Sequence, residues 1–368
     1  MKKNIIKKIR LLAKEKYKLI RSSVFLSFYG KITVSKKPPK TKILPIRSDN
    51  IKNFSKYNYK FFEIQNGRIF TDNIENVSII SSNKLLDNFS YQQIKGKLVN
   101  SKKNQVLKTG TPKFIFKLNR TIAVLSQGAS GYNNYAHFLF DIVPKIKLIS
   151  LAINLKKIDY FYFSKLNNYQ KEILKRVGIN EQKIIDSNKY RHLQSNKIIG
   201  VTHPNYIKGT ISEAHSAIPK WIISYLKNVF LKRKQSKTPY KKIYIDRSDS
   251  KLKHCKIINN SDIKKFLKNK GFKILKLSKL KFDKQTNIFR NAKMIIGPHG
   301  AGLANLVFCK KNTKVVEIKP RDHPNKVYER ICDINKLRYN LIKLKHIRTS
   351  NKGDMFLKKE ILNKYLKI

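Results

Sequence analysis

Cysteine is scarce in this chain of 368 residues. The three cysteines, Cys255, Cys309 and Cys332, form no Cys-x-x-Cys pair, and no cluster of His and Cys has the spacing of a zinc site. The sequence therefore excludes a disulfide framework and a structural zinc site. We interpret the thiols as small buried hydrophobic groups in a reducing compartment.

Long apolar runs are also absent. No stretch reaches the ~20 apolar residues that a membrane-spanning helix needs, and none has the apolar core and cleavage site of a secretory signal. We therefore expect a cytoplasmic protein. Residues 1–40 form a basic leader in which Ile5, Ile9, Leu12 and other apolar residues are interleaved with lysines. Such a leader is either a helix that lies peripherally on the anionic inner face of the membrane or a disordered, solvated segment.

Acidic residues are few. The sequence has 22 Asp and Glu against 81 Lys and Arg, which gives a formal net charge of +59 and a pI near 10.3. A surplus of this size raises nucleic acid as a partner. However, the lysines are spread through the whole chain, which favours compositional bias, or attraction to an anionic membrane or polysaccharide, over nucleic-acid binding. A hydrophobic fraction of 41% with 11% aromatics is that of a folded protein.

A glycine-rich stretch organises the second half of the sequence. An apolar run from Lys293 to Ile296 predicts a buried strand, which the Gly297-Pro298 pair should end. His299-Gly300-Ala301-Gly302 follows, and Leu303 to Phe308 predicts the first turns of a helix. A strand, a glycine turn and a helix start together present backbone N–H groups to an anion such as a diphosphate. The alternative is a tight connection whose glycines only make the turn.

Further strands flank this stretch. Lys242 to Asp246 predicts a strand followed by Arg247, and Lys314 to Ile318 predicts one that ends near Glu317. With helices between them, these strands should form a parallel sheet, which binds ligands at the carboxyl ends of its strands. A carboxylate there suits the hydroxyls of a ribose, and an arginine suits phosphate. Alternatively, Arg247 pairs with Asp246.

The first half of the sequence differs in pattern. Strand patterns at Tyr59–Phe70, Val77–Ile80 and Phe114–Phe116, with a hairpin turn at Asn119-Arg120, predict a β-rich N-terminal region. Alternating strands and helices follow, and the basic, polar segment 232–242 is interpreted as a linker between two α/β domains. We therefore predict domains at 41–235 and 236–348, with a helix at 349–368 that packs back across the first domain.

One predicted helix carries a pair of ionisable side chains. A turn-rich loop, Gly128 to Asn134, leads into a helix from Tyr135, along which His137 and Asp141 are four residues apart and share a face. The pair suits a general base oriented by a carboxylate. It equally suits a hydrogen bond that only fastens the helix surface.

Three ordered stretches of the sequence resemble glycosyltransferase family 61, which in bacteria includes proteins of capsular polysaccharide biosynthesis. They are Gly297 to Asn305 with Val316-Glu317-Ile318, Asn134 to Pro144, and Ile243 to Arg247. The resemblance implies a GT-B fold, in which two Rossmann-like domains face a cleft. It further implies inverting sugar transfer, without a catalytic metal or other cofactor, from a nucleotide-sugar donor to a glycan or glycolipid acceptor of the capsule or lipopolysaccharide type. The absence of an Asp-x-Asp motif agrees with metal independence.

On this interpretation the N-terminal domain holds the acceptor and the C-terminal domain holds the donor. We predict His137 as the base, oriented by Asp141, with Asp141 itself as the alternative. Donor binding is assigned to a second group: Arg247, His299, Gly300, Ala301, Gly302, Asn305 and Glu317. Two other functions stay open, namely another polysaccharide-modifying transferase such as a pyruvyl transferase, and a non-catalytic protein that binds polyanions through its charge.

Overall fold

The structure, a computed structural model, describes residues 2–72, 76–94, 97–99, 101–126, 134–205, 215–231, 238–250, 255–347 and 353–366. The chain divides into two compact units. Unit 1 consists of Met1–Asn133, Asp141–Asn167 and Ile179–Pro204, and unit 2 consists of Asn134–Phe140, Asn168–Gly178 and Asn205–Ile368. This division differs from the predicted boundary at residue 235, because two short segments of the first half and everything after Pro204 belong to unit 2. Most of the predicted 128–134 loop and part of the predicted linker, 232–237, lie outside the described residues.

Unit 1 contains a nine-stranded mixed sheet with the order β1-β5-β4-β3-β11-β8-β9-β10, and β2 also pairs with β3. Strands β11, β8, β9 and β10 are parallel to one another, whereas β3 is antiparallel to β2, β4 and β11. The β-rich region and the α/β region thus share one sheet, whose apolar side chains form a buried core. The strands are β1 (Thr33–Ser35), β2 (Thr41–Pro45), β3 (Lys60–Thr71), β4 (Val77–Ser81), β5 (Lys84–Leu86), β6 (Gln92–Ile94), β7 (Lys97–Val99), β8 (Phe116–Val124), β9 (Tyr160–Phe163), β10 (Ile184–Asp186) and β11 (His192–Val201), with β6 and β7 forming a separate hairpin.

The predicted hairpin turn at Asn119-Arg120 is wrong. These residues lie within the continuous strand β8, where the register against β11 shifts between Ser195 and Lys197. The extra residue forms a β-bulge, and Ser195 Oγ donates to the carbonyls of Leu118 and Arg120 on either side of it. Asn and Arg accommodate a bulge as readily as a turn, and only the paired strand distinguishes the two.

Three helices of the described chain belong to unit 1 throughout: α1 (Lys2–Tyr29), α2 (Val106–Thr109) and α4 (Val143–Ala152). Helix α1 covers most of the predicted leader. Its last turns pack on unit 1, where the Phe25 and Phe114 rings meet edge to face with centroids 5.1 Å apart. Pro144 lies in the first turn of α4, where its missing N–H leaves no hydrogen bond unmade.

Unit 2 is built on five parallel strands in the order β13-β12-β14-β15-β16. Numbered along the chain, this order is 2-1-3-4-5, a doubly wound arrangement in which connections leave the sheet on opposite sides of the pair β12 and β14. The strands are β12 (Lys242–Ile245), β13 (Lys273–Leu275), β14 (Met294–Pro298), β15 (Lys314–Pro320) and β16 (Arg338–Leu344). The α-helices are α3 (Tyr135–His137), α5 (Asn168–Arg176), α6 (Lys220–Phe230), α7 (Asn260–Asn269), α8 (Phe282–Asn291), α9 (Val327–Asn335) and α10 (Lys359–Asn363).

The C-terminal segment contributes to the core of unit 2. Met355, Leu357 and Leu362 are fully buried in a cluster that contains Tyr244 of β12 and Ile296 of β14. The segment therefore packs on its own unit, and its predicted packing across the first domain stays a prediction. Its apolar side chains fit either surface, so their spacing could not decide between the two.

The strand that carries the glycine turn is longer than predicted. Strand β14 runs through Gly297 and Pro298, whose partners in β15 are Glu317 and Ile318. Proline is tolerated because β12 pairs with β14 only as far as Ile296, so the missing N–H interrupts no ladder on that side. Glu317 therefore lies in the middle of β15 and not at its end.

The helix predicted from Leu303 is a 3₁₀ helix that begins two residues earlier, Ala301–Phe308. Within this helix, Asn305 Nδ2 donates to the Gly302 carbonyl at 3.1 Å. Asn335 donates to the carbonyls of Leu306 and Val307.

Within the described chain, no helix combines the length and hydropathy required to cross a bilayer. The GT-B arrangement stays a prediction.

Candidate active site

The topology of unit 2 selects one edge of its sheet as a ligand site. In a doubly wound sheet, ligands bind outside the carboxyl ends of the strands where the connections diverge, which here is between β12 and β14. Arg247 follows β12 by two residues, and His299 follows β14 directly. Both predicted donor-binding side chains therefore come from the two strands that flank this position.

Arg247 is half-buried, and the two described acceptors of its hydrogen bonds are uncharged, although the Asp249 carboxylate stabilises its positive charge through space. Its guanidinium donates to the backbone carbonyl of His299 and, at 3.2 Å, to Ser250 Oγ. Burial lowers the pKa of Arg247, which means that desolvation disfavours the positive charge. No carboxylate among the described residues lies within ion-pairing distance of it. An anionic ligand would supply the missing compensation.

The alternative pairing of Arg247 with Asp246 is not what the structure shows. Asp246 is buried and accepts from Ser248 N and Asn260 Nδ2, and its other oxygen lies 3.3 Å from Lys264 Nζ. Burial raises the pKa of Asp246, but these hydrogen bonds and the Lys264 charge outweigh it, so the carboxyl titrates below its ordinary range. Asp246 is thus satisfied without Arg247.

The two glycines of the turn have different roles. A Cβ atom on Gly300 would lie 2.6 Å from Arg247 Nε and closer still to the guanidinium carbon, at a backbone φ of +157°. At Gly302 a Cβ would meet a Leu277 methyl group at 2.9 Å. A glycine is therefore needed at position 300 because Arg247 lies so close to it. From the sequence, both glycines were interpreted as part of a turn that binds an anion such as a diphosphate. Ala301 and Gly302 are half-buried, and their amides precede the first hydrogen bond of the 3₁₀ helix, from Leu303 N to the Gly300 carbonyl.

His299 belongs to a buried hydrogen-bonded group. Its Nδ1 lies 2.5 Å from Glu317 Oε1, and Tyr339 OH donates to Glu317 Oε2 at 2.5 Å. Burial raises the pKa of Tyr339, and the Glu317 carboxylate raises it further, so the phenol keeps the proton that it donates. Both oxygens of Glu317 are engaged, and the carboxylate orients the imidazole. Its predicted role in ribose binding stays a prediction and would require exchange of one of these partners.

Two further aromatic side chains, Tyr328 and His323, lie beside this group, and sequence reasoning missed both of them as well as Tyr339. Tyr328 OH donates to the Gly300 carbonyl at 2.7 Å, the His323 and His299 rings are 4.0 Å apart at their centroids, and Tyr339 comes from β16. Each of these side chains contacts a residue at least 22 positions away in the sequence, and the strand order brings them together. No local pattern could have found them.

Asn305 links two of the three predicted motifs within unit 2. Its Oδ1 accepts from Tyr135 OH at 2.6 Å, and its Nδ2 donates to Gln285 Oε1 and to the Gly302 carbonyl. The amide is fully buried and engaged at both ends. It holds the 3₁₀ helix and the Tyr135 segment together, so direct contact with a donor would require displacing one of these bonds.

The predicted base, His137, lies in the segment of unit 2 that Tyr135 fastens. The Asn134 side chain caps this short helix by accepting from His137 N at 3.2 Å. The His137 ring is half-buried and lies 4.6 Å from the His215 ring, centroid to centroid. His215 is distant from His137 in sequence, so only the fold brings the two rings together.

Asp141 lies in the π-helical turn Phe138–Ile142, where unit 1 resumes. It is buried, 3.9 Å from His203 Nε2, and its charge acts on Lys145, one helical turn further along. Lys145 is also buried, and this burial lowers its pKa to about 7, although Asp141 partly opposes the shift. The structure thus gives Asp141 two charge partners in unit 1 that the sequence interpretation did not consider.

Comparison with known proteins identifies the family. The sequence model described as Glycosyltransferase 61 matches residues 135–316, about half of the chain. The chain belongs to glycosyltransferase family 61. The matched range includes His137, Asp141, Arg247 and the turn from His299 to Gly302, and it ends one residue before Glu317.

Other comparisons add little to this assignment. No curated protein matches the chain significantly. A solved structure, a mutant of the flavo di-iron protein from Thermotoga maritima, aligns with 89% of this chain and 98% of its own at 9% identity and a TM-score of 0.25. A TM-score this low carries no argument.

As a member of this family the protein is an enzyme, a glycosyltransferase that acts on glycans. This assignment overturns the alternatives of a pyruvyl transferase and a non-catalytic polyanion-binding protein. It leaves the roles of the individual residues as predictions.

Proposed function

We propose that this glycosyltransferase moves a sugar from a nucleotide-sugar donor to a hydroxyl group of a surface glycan, of the capsule or lipopolysaccharide type, in the cytoplasm. The donor diphosphate would bind in unit 2 outside the carboxyl ends of β12 and β14. One observation carries the proposal: Arg247 presents a half-buried positive charge, without a carboxylate partner among the described residues, where a doubly wound sheet binds ligands.

The charges suit departure of a nucleoside diphosphate. In the transition state the bond from the anomeric carbon to the diphosphate breaks, and negative charge grows on the phosphate oxygens. Arg247 can fork two of these oxygens, and the amides of Ala301 and Gly302 can donate to them. Because protein cations and N–H groups supply this stabilisation, we infer that transfer needs no metal.

A base must remove the proton of the acceptor hydroxyl as its oxygen attacks the anomeric carbon. We assign this role to His137, because histidine is the side chain that most often serves as a general base. Asp141 is the weaker candidate, since its charge already serves Lys145 and His203. Direct attack inverts the anomeric configuration, in agreement with the sequence resemblance. The GT-B arrangement, with the acceptor held by the N-terminal domain, is part of this proposal.

A thermal-shift panel with UDP, GDP, CMP and their common sugars tests the donor site. A ligand at about 100 times its Kd should add about 2.7 kcal/mol to the free energy of unfolding. We expect one nucleotide class to shift the melting temperature equally with and without EDTA. Arg247→Gln should abolish the shift.

Arg290→Gln is the matched control for this panel. Arg290 is also half-buried in unit 2 and also donates to a backbone carbonyl, that of Leu231. It lies at the end of α8, which precedes the amino end of β14. An unchanged shift in Arg247→Gln, or loss of the shift in both variants, would contradict the proposed site. A shift that EDTA removes would contradict metal independence.

A further inference from the structure

Helix α1 (Lys2–Tyr29) has an apolar surface that the fold does not use. Every described side chain from Ile5 to Ile20 is exposed. The exposed apolar side chains include Ile9, Leu12 and Ile20, at 59%, 60% and 66%. A soluble helix ordinarily turns such residues toward a core.

Seven of the ten exposed large apolar residues of α1 share one side of the helix. At 100° per residue, they fall within an arc of about 140°, which we call the apolar stripe. The stripe consists of Ile5, Ile6, Ile9, Leu12, Leu19, Ile20 and Val24. Lys16 is the only described charged side chain within this arc, and a lysine can reach past apolar surface with its charged end.

The fold holds α1 by a different side. Ser22 and Phe25 are buried, and Tyr29 packs edge to face on His192 with ring centroids 5.2 Å apart. Arg21 donates to the Pro112 carbonyl. These anchoring residues lie outside the arc of the stripe, so packing of the last turns on unit 1 leaves the stripe uncovered.

The charge of the helix indicates what covers the stripe. Its 28 residues include seven Lys and two Arg but a single Glu. Arg10 lies about 40° from one edge of the stripe, and Lys14 and Lys18 lie further round the helix, outside the stripe. Two copies of so basic a helix would repel each other, which argues against a second copy of this chain as the occupant.

We infer that α1 binds the surface of an anionic lipid bilayer, with its axis in the plane of the membrane and the apolar stripe inserted among the upper acyl chains. Such binding combines burial of apolar area with attraction of basic residues to anionic headgroups. The interspersed lysines exclude a spanning orientation. The membrane would thereby bring this glycosyltransferase to lipid-attached acceptors.

Flotation of the full-length protein with vesicles tests the inference. We expect binding to vesicles of phosphatidylcholine with 30% phosphatidylglycerol, and at least 10-fold weaker binding to phosphatidylcholine alone. Raising the salt from 50 to 500 mM should also weaken binding to the anionic vesicles. Equal binding to both lipid compositions, or binding to neither, would overturn the inference.

Two adjacent leucines provide a matched pair of variants. Leu12 lies in the stripe and is 60% exposed, whereas Leu11 lies on the side of Ser22 and Tyr29 and is 54% exposed. Leu12→Asn should weaken vesicle binding about 10-fold, because one leucine no longer enters the acyl region. Leu11→Asn should change it less than 2-fold. Equal effects would refute the orientation.

Light scattering of the same variants examines other occupants. If the wild-type protein dimerises and Leu12→Asn makes it monomeric without affecting vesicle binding, the stripe is an interface between copies and the inference fails. The inference also fails if the protein binds RNA but not the vesicles and its RNA binding is the same in both leucine variants as in the wild type.

Discussion

Replacing Gly300 by alanine tests the contact that joins the glycine turn to Arg247. The added Cβ would lie 2.6 Å from Arg247 Nε, whereas unstrained contacts are about 3.5 Å, so the guanidinium must move by about 1 Å. This movement disturbs the two hydrogen bonds that the guanidinium makes, to the His299 carbonyl and to Ser250 Oγ.

The expected cost combines three effects. Overpacking costs about 1–3 kcal/mol, a hydrogen bond from a charged donor contributes about 1.5–3 kcal/mol, and a residue at φ of +157° costs about 1 kcal/mol. If the arginine moves, the overpacking is relieved but the hydrogen bond is weakened, so only one of these two costs applies. With the backbone cost added, we expect Gly300→Ala to destabilise unit 2 by about 3 kcal/mol. In an Arg247→Ala background only the backbone cost of about 1 kcal/mol should remain.

Urea denaturation followed by tryptophan fluorescence measures these costs. Trp221 is the only tryptophan of the sequence and is buried in α6 of unit 2, so its signal reports the unit that contains the site. Gly302→Ala is the control, because its Cβ would meet only flexible side chains, and its cost should be the same in both backgrounds. If Gly300→Ala costs the same within about 0.5 kcal/mol with and without Arg247, the two residues are not coupled and the reasoning is refuted.

Three other substitutions test separate parts of the structure. Because burial lowers the pKa of Lys145 to about 7, the folded protein holds fewer protons than the unfolded chain between about pH 7 and 10.5, and its stability should rise with pH over that window. A methionine at position 145 cannot gain or lose a proton, so the free energy of unfolding of Lys145→Met minus that of wild type should fall by up to about 5 kcal/mol from pH 6 to pH 10. Urea denaturation at each pH measures this difference. A difference that does not change with pH would show that the amine is not desolvated. Tyr339→Phe removes the donor to Glu317 Oε2 and should cost about 1–3 kcal/mol in the same assay, and no cost would mean that water replaces the phenol. Leu362→Ala should cost about 2–5 kcal/mol in the Trp221 signal, since Leu362 is fully buried in unit 2, and a cost below about 1 kcal/mol would contradict that packing.

The second half of the sequence was the more predictable. Strands β12, β14 and β15 begin within one residue of prediction. Each of these elements is encoded by a local apolar period that matches its own geometry. The placement of Arg247 and His299 at carboxyl ends follows from the same pattern, because both come directly after a strand.

The contacts of the site residues were less predictable. Glu317 was expected near a strand end, but its strand continues to Pro320, and its carboxylate is taken by His299 and Tyr339. Asp141 was expected to orient His137. The structure shows that its charge also acts on Lys145 and that it lies 3.9 Å from His203 Nε2. In each case the partner lies on another element, or on a face of the same helix that becomes buried only in the folded protein.

The sequence by itself determined the family, the parallel α/β character of the second half and the residues that follow its strands, because all of these depend on local order along the chain. Only the tertiary structure decided the 2-1-3-4-5 strand order, the return of Asn134–Phe140 and Asn168–Gly178 to unit 2, and the reason for Gly300. Strand order and chain crossings arise from the burial of apolar faces against partners far away in sequence. The sequence states which faces are apolar but not which faces meet.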